Sequence, residues 1–360
     1  MADRDIGKTA HEALASLLAY IQDTPTGTLT VGELVRLYRR AKQQQGRREI
    51  ADKLGIDEDG LVRLDRVIRS LGRELMSTAH SMAGHQTKTI AVLRFLGVLG
   101  TMSSQAHQSA TNSEIAPRGT AELAMKQLRA IEHVLRAIMR EQHGTEDQLV
   151  ARLTQLFGAP TIHEWAAQGQ PGDILSGASF ADLASFFIDK VEFAALIERY
   201  FSAEQALTFL GDKRASAFAL LDDLVQVRNR LARGYELSTI QINLVGVYYD
   251  EIVEPVQQAF DRLSTRINPE QYLDATGEEI SAYVAGLQVD PSGVRETVVA
   301  AQPLVETAEP APSAQAEGDS ADLEALIAAK ERKVVDIARF TLAILVGLVG
   351  IHTFMLLTHV

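Results

Sequence analysis

Apolar residues recur at the spacing of an α-helix through most of the first 287 positions. In 119–143, Leu123, Leu128, Ile131, Leu135 and Ile138 fall on one side of a helix of 3.6 residues per turn. The same spacing predicts helices over three further segments, 179–201, 214–234 and 238–267. The β-branched run at 240–247 lies within a helical period, so the chain is predicted to be all-α, with a multi-helix bundle as its body.

Residues that commonly begin, end or bend helices stand at the edges of these segments. Ser179 is followed three positions later by Asp182, a pattern similar to a capping box at a helix N-terminus. Gly234 stands where a helix commonly ends, because glycine accepts the left-handed backbone conformation that follows the last turn. Pro255 is expected to kink the helix predicted over 238–267.

The C-terminal residues Phe340–Val360 form a long apolar segment. Its first 18 residues, FTLAILVGLVGIHTFMLL, carry no formal charge apart from a protonated form of His352. At about 1.5 Å per residue, a helix of this length matches the hydrocarbon core of a bilayer. Lys330, Arg332, Lys333 and Arg339 precede it, and basic residues mark the cytoplasmic side. We therefore predict a single-pass tail anchor with the body in the cytoplasm; the alternative is a buried core helix.

The composition of 288–320 differs from that of the rest of the chain. Pro, Ala, Ser and Glu alternate there without apolar periodicity, which predicts a disordered acidic linker. The predicted organisation is a helical N-terminal unit at 1–76, a connecting helical region at 77–118, a helical bundle at 119–287, the linker, a juxtamembrane helix at 321–339 and the anchor at 340–360.

Composition excludes several kinds of chemistry. The net charge of −12 argues against a general nucleic-acid coat, and the absence of cysteine excludes disulfide scaffolds, cysteine-bound zinc and thiol catalysis. The histidines lack the spacing of a metal-binding pair, and neither a Walker A motif nor a GxGxxG motif is present. We therefore expect neither a metal site nor a cofactor.

The segment 47–68, RREIADKLGIDEDGLVRLDRVI, is similar to a helix-turn-helix. Apolar residues and a glycine fall where that motif packs its helices and makes its turn: Ile50, Ala51, Leu54, Gly55, Ile56, Leu61 and Leu64. The region 30–73 contains 11 Lys and Arg against 7 Asp and Glu. Arg63, Arg66 and Arg69 are therefore candidate phosphate-contacting residues.

Two other interpretations of this basic region remain open. The second helix would begin with Asp57, Glu58 and Asp59, which repel phosphate at the end that normally enters the major groove but suit a helix cap. A purely structural three-helix unit, or a basic face lying against anionic lipid, would also fit.

The segment Asp222–Gly234, DDLVQVRNRLARG, resembles the motif of the HEPN family, often written RNxxAHG. Arg228, Asn229, Ala232 and Gly234 match the motif, and Arg233 stands in place of its histidine. The resemblance implies a helical, often dimeric bundle over about 119–287. It also implies either metal-independent RNase activity, as in many defence systems, or a non-catalytic binding role. The alternative for Arg228 and Asn229 is a structural cap at a helix end.

The departure at Arg233 decides between these functions. Histidine, with a pKa near about 6.5, can transfer a proton at neutral pH, whereas arginine stays protonated but can still hold a phosphate. We therefore assign no catalytic residue. The only candidates are Arg228, Asn229 and Arg233. The preferred prediction is a membrane-tethered, non-enzymatic interaction module, a homodimer or bound to another protein, in prokaryotic defence or stress response. The alternatives are a membrane-tethered RNase and a regulator that binds RNA or DNA through the N-terminal unit.

Overall fold

The structure is a computed structural model that describes residues 3–21, 29–76, 82–102, 117–202, 206–207, 209–290 and 293–295. Its regular elements are helices, and the described residues contain no strand, only one isolated bridge between Gln170 and Asp173. The prediction of an all-α fold is confirmed.

The N-terminal part contains five helices whose ends follow local rules. Thr30 begins the second helix with a capping box that includes Glu33, and Gly55 ends the third in the left-handed conformation at φ 65°. The helices are α1 Asp3–Ile21, α2 Val31–Gln45, α3 Arg47–Leu54, α4 Glu58–Met76 and α5 Met82–Leu99.

The second part begins with a 23-residue helix and continues through shorter ones. They are α6 Ala121–His143, α7 Glu146–Phe157, α8 Ala159–Gln168, α9 Phe180–Phe187, α10 Lys190–Arg199, α11 Lys213–Ala232, α12 Thr239–Ile252, α13 Glu254–Asp261 and α14 Gly277–Ala285. Short 3₁₀ turns lie at Ile174–Gly177 and Pro269–Tyr272.

Two predicted helices are each divided in two. The segment 179–201 separates into α9 and α10, because the Asp189 side chain accepts hydrogen bonds from the backbone nitrogens of Val191 and Glu192 and so begins a new helix. The segment 238–267 separates into α12 and α13 beside Pro255, which occupies the first turn of the second helix. The predicted cap at Ser179 and the predicted stop at Gly234 are both confirmed.

One hydrophobic core joins the two parts. Buried apolar residues extend from Ile6 in α1 to Val294 after α14, and Met1–Ala300 form one compact unit. The segments predicted as 1–76, 77–118 and 119–287 lie within that unit. Inside the core, the Nε of Arg94 donates to Asp223 Oδ2 at 2.6 Å, and the hydroxyl of Tyr248 donates to the same oxygen. These bonds join α5, α11 and α12, which position the candidate site.

The packed chain extends further than the sequence predicted. Asp290 and Val294, inside the predicted linker 288–320, are buried against the body. Composition missed this contact because it depends on single side chains and backbone groups rather than on apolar periodicity. The remaining linker residues 296–320, the helix predicted at 321–339 and the anchor predicted at Phe340–Val360 lie outside the described residues. Within the described part, none of the helices has the length and apolar character needed to span a bilayer.

Candidate functional site

Arg228, the first residue of the motif, lies in a buried ion cluster. It projects from the C-terminal half of α11, where its Nε is 3.3 Å from Glu132 Oε2 on α6, close enough for an ion pair. Its guanidinium also lies over the ring of Phe180, 5.8 Å from the centroid. Glu132 further pairs with Arg136 at 2.7 Å and accepts a hydrogen bond from the hydroxyl of Tyr283 at 3.1 Å.

The electrostatics of this cluster keep its charges in place. Burial alone would raise the pKa of Glu132, but Arg136 and Arg228, together with hydrogen bonds from Arg136 and Tyr283, more than offset it, so its pKa is lowered. Burial works against the charged form of Arg228, yet Glu132 and Tyr283 raise its pKa. Arg228 is therefore a cation held by internal acceptors.

Asn229, the second motif residue, is 7% exposed and is occupied by backbone groups. Its Nδ2 donates to the carbonyl of Asp290 at 2.7 Å, and its Oδ1 accepts from the nitrogen of Asp290 at 2.7 Å. Both ends of the amide are thus engaged by a single residue that follows α14.

Arg233, at the position of the motif histidine, is exposed just after α11. The next residue, Gly234, has φ 79°, so the chain turns sharply there. Arg230, one turn earlier, lies with its guanidinium 5.3 Å from the ring centroid of Tyr235. The end of the motif helix therefore carries a half-buried arginine, Arg230, beside an exposed arginine, Arg233, and an exposed aromatic ring, Tyr235.

These residues line a groove of about 870 Å³ between α4, the end of α5, α11 and the segment around Asp290. Basic side chains line it from two sides, Arg63 and Arg66 from α4, and Arg230 of α11 with Arg233 just after that helix. Its volume falls within the range of about 300–1,000 Å³ that is usual for ligand sites.

Most carboxylates of the groove already have partners. Asp222 pairs with Arg63 at 2.9 Å, Asp57 accepts from the nitrogen of Gly60 at the start of α4, and Asp290 accepts from the nitrogen of Ala181. By contrast, within the described residues Arg66, Arg230 and Arg233 pair with no carboxylate. Four arginines and four aspartates thus line the groove, and its distinguishing feature is three guanidinium groups that no described carboxylate pairs with.

The structure places the three arginines predicted to contact nucleic acid in different settings. Arg63 is held by Asp222 of α11, and Arg66 lies 5.9 Å from the ring centroid of Phe218 on the same helix. The Nε of Arg69 donates to the carbonyl of Asp65 on its own helix, and Arg69 does not line the groove. Five of the seven positions predicted for the helix-turn-helix, Ile50, Ala51, Leu54, Leu61 and Leu64, are buried, whereas Ile56 is half-buried and Gly55 at the turn is exposed. The second helix contacts α11 through Arg63 and Arg66.

Proton-transfer groups are scarce at the site. None of the described histidines lines the groove. His133, next to Glu132, stacks on Tyr272 at 5.1 Å, and burial lowers its pKa. The described residues also contain no cluster of three or more His, Asp or Glu side chains arranged to hold a metal ion.

Sequence reasoning named the motif arginine and asparagine but missed their partners. Glu132 and Asp290 carry no local signal of this role, because they lie far from Arg228 and Asn229 along the chain. The adjacent acids Asp222 and Asp223 do indicate buried partners, but those partners are Arg63 and Arg94, in a separate set of contacts.

Comparison with known proteins identifies the family. The family model described as STY4199-like HEPN matches residues 2–269, about three quarters of the chain. No curated protein and no solved structure matches the chain. The chain belongs to the STY4199-like HEPN family.

Proposed function

We propose that this HEPN-family chain is a non-catalytic binding module that holds an RNA strand in the arginine groove. The observation that carries the proposal is the state of the motif itself. Arg228 is paired with Glu132, both ends of the Asn229 amide are bonded to Asp290, and Arg233 replaces the histidine. The motif helix therefore keeps its fold and its cations while lacking a group that transfers protons at neutral pH.

The chemistry of the open side chains indicates the ligand. Arg66, Arg230 and Arg233 can each offer paired N–H donors to a phosphate, a geometry that suits guanidinium. Tyr235, 58% exposed beside Arg230, offers a ring on which an unpaired base can stack. A single strand brings phosphates and exposed bases together, whereas the bases of a duplex are stacked inside it.

Binding and cleavage are separated by one experiment with the full-length chain and a labelled single-stranded RNA. We expect the RNA to be bound in a salt-dependent manner and recovered intact. Arg230→Gln with Arg233→Gln should weaken binding by about tenfold or more, since charge-assisted hydrogen bonds are lost. Arg40→Gln with Arg48→Gln, which removes the same two charges from exposed sites outside the groove, is the matched control.

Two results would contradict the proposal. RNA cleavage that disappears in Arg228→Ala while circular dichroism shows the variant still folded would assign the chain to the metal-independent RNases of its family. If the groove variant and the control variant Arg40→Gln with Arg48→Gln weaken RNA binding equally, the groove is not the binding site.

We further propose that residues Phe340–Val360 tether the module to a membrane, with the body in the cytoplasm. The support is the sequence alone: an uncharged apolar segment of sufficient length after a basic cluster. Cell fractionation tests it, because deletion of residues 335–360 should move a folded protein from the membrane to the soluble fraction. A deletion variant that unfolds would instead assign the segment to a core. Assembly as a homodimer remains a proposal that sedimentation can test, and a role in prokaryotic defence or stress response rests on family resemblance.

A further inference from the structure

The segment after α14 lies across the motif helix. We call Leu287–Asp290 together with Gly293–Arg295 the strap. Leu287, Asp290 and Val294 are buried, whereas Gln288, Val289 and Arg295 are exposed. The strap is thus held at separate points rather than along its whole length.

At least four hydrogen bonds between described residues hold the strap. Asn229 bonds to both backbone groups of Asp290, and the Oδ2 of Asp290 accepts from the nitrogen of Ala181 at 3.0 Å in the first turn of α9. The nitrogen of Arg295 donates to the hydroxyl of Ser185 at 2.9 Å. None of these contacts belongs to a helix or a strand. We therefore expect the free energy of opening the strap to be lower than that of opening a helix of the core.

The position of the Asp290 carboxylate resembles that of a bound anion. It occupies the N-terminus of α9, where backbone N–H groups favour negative charge, and its charge helps keep Arg228 protonated. Asp290 also lines the groove together with Arg230 and Arg233. The strap therefore brings a carboxylate to the same groove that Arg230 and Arg233 line, where the proposed ligand would bring a phosphate.

The strap also lies beyond the part of the chain that the family shares. The family model ends at residue 269, whereas the strap begins at 287. A segment outside the region that the family model matches thus bonds to the side chain of Asn229, the second residue of the family motif.

We propose that the strap is an internal competitor of the ligand: its Asp290 occupies the anion position, and its release frees the Asn229 amide and opens that wall of the groove. This inference rests on the proposed binding function of the groove. Release removes one negative charge from the groove and exposes two hydrogen-bonding groups of Asn229. Both changes favour an anionic, hydrogen-bonding ligand.

The first test removes the charge of Asp290 and keeps its backbone. In the full-length chain, Asp290→Asn should bind a short single-stranded RNA about fivefold to tenfold more tightly than the unsubstituted protein, because the competing carboxylate is gone. Asp274→Asn makes the same charge change at an exposed site outside the groove and should leave the affinity unchanged. Equal gains in both variants would indicate a general charge effect and would overturn the proposal.

The second test locks the strap. The chain has no cysteine, so Ser185→Cys with Arg295→Cys introduces one pair, at positions whose Oγ and backbone nitrogen are 2.9 Å apart. The oxidised pair should bind RNA about tenfold less tightly, and a reductant should restore the affinity. Each single cysteine variant controls for the substitutions. Equal affinity in the oxidised and reduced protein would show that the strap does not compete.

A third measurement does not depend on the ligand. Hydrogen exchange of the backbone amides of Asp290 and Arg295 should occur through local opening, before the amides of Val225 and Leu224 in the core of α11 exchange. If all four amides exchange only through global unfolding, the strap is a fixed part of the fold and the inference is overturned. Failure of the unsubstituted protein to bind RNA, with local strap opening observed, would instead refute the proposed function of the groove.

Discussion

Arg228 and Glu132 form an ion pair between α11 and α6, with their side chains only 12% and 5% exposed. A charge in such surroundings depends on its partner, because the interior does not solvate it as water does. The residue that defines the HEPN motif therefore contributes to the stability of the fold, whatever it contributes to binding.

Loss of the Arg228 guanidinium should destabilise the protein. We expect Arg228→Ala to lower the free energy of unfolding by about 3–5 kcal/mol, the usual cost of leaving one member of a buried pair alone. Arg233→Ala, exposed at the end of the same motif, should change it by less than about 0.5 kcal/mol. Urea unfolding followed by circular dichroism measures both, and equal values would contradict a structural role for Arg228.

Glu251 should make the protein less stable as the pH rises from mildly acidic values towards neutrality. Burial raises the pKa of Glu251 to about 6, while a hydrogen bond from the nitrogen of Leu207 opposes the shift and Asp250 and Glu254 add to it. In the unfolded chain this carboxyl ionises near about 4.3. Between these two pKa values the folded state holds the proton that the unfolded state has lost, so stability falls as the pH rises.

A matched pair of variants isolates this contribution. Glu251→Gln keeps an oxygen that can accept from Leu207, and it should stabilise the protein at pH 7.5 by up to about 2 kcal/mol relative to its effect at pH 4. Glu254→Gln, exposed one turn away, should show a much smaller pH dependence. Denaturant titrations at the two pH values measure the difference, and the same shift in both variants would argue against Glu251 as the cause.

Glu132 should give the opposite dependence of stability on pH from that of Glu251. Its pKa is lowered in the folded state, so its contribution to stability is present above the unfolded value and is lost as the pH falls through the folded value. In Glu132→Gln the free energy of unfolding should fall less steeply as the pH is lowered than in the unsubstituted protein, and it should be lower at neutral pH. Acid titration followed by tryptophan fluorescence tests this through Trp165, the single tryptophan of the chain. An equally steep loss of stability with falling pH in both proteins would contradict this role of Glu132.

The sequence predicted the features that depend on neighbouring residues. The caps at Ser179 and Gly234 and the break at Pro255 each involve residues within a few positions of one another, so local rules suffice. The break at Asp189 was missed because the apolar pattern continues on both sides of it, from Phe187 to Phe193, and only the side-chain cap interrupts the helix.

Contacts between distant positions could not be predicted in this way. The motif identified Asn229 but not its partner Asp290, which follows 61 positions later in a segment whose composition resembles a linker. Arg63 was identified as a basic residue of a helix-turn-helix, yet its partner Asp222 lies 159 positions away. Spacing along a single helix carries no information about such pairs, whereas the folded chain determines which basic residues remain open to a ligand.

The pair Arg63–Asp222 should show measurable coupling between the N-terminal helices and the motif helix. The two side chains are 28% and 13% exposed, so water screens their attraction only partly. A double-mutant cycle with Arg63→Gln and Asp222→Asn should give a coupling energy of about 1–2 kcal/mol. Arg69→Gln with Asp222→Asn is the control, because Arg69 does not contact Asp222. A coupling energy near zero would mean that Asp222 does not hold Arg63, which would then be open to contact nucleic acid.

Two residues in the left-handed backbone region should respond to substitution in opposite directions. Leu263 has φ 57° and is 90% exposed, so its side chain adds backbone strain while burying little apolar surface. Leu263→Asn should therefore stabilise the protein by up to about 1 kcal/mol, since asparagine adopts this conformation more readily. Gly234 has φ 79° with open space around the position of a Cβ, so Gly234→Ala should cost about 1–2 kcal/mol through the backbone alone. Thermal unfolding of both variants decides the matter, and a destabilised Leu263→Asn would show that the exposed leucine makes a contact that offsets its strain.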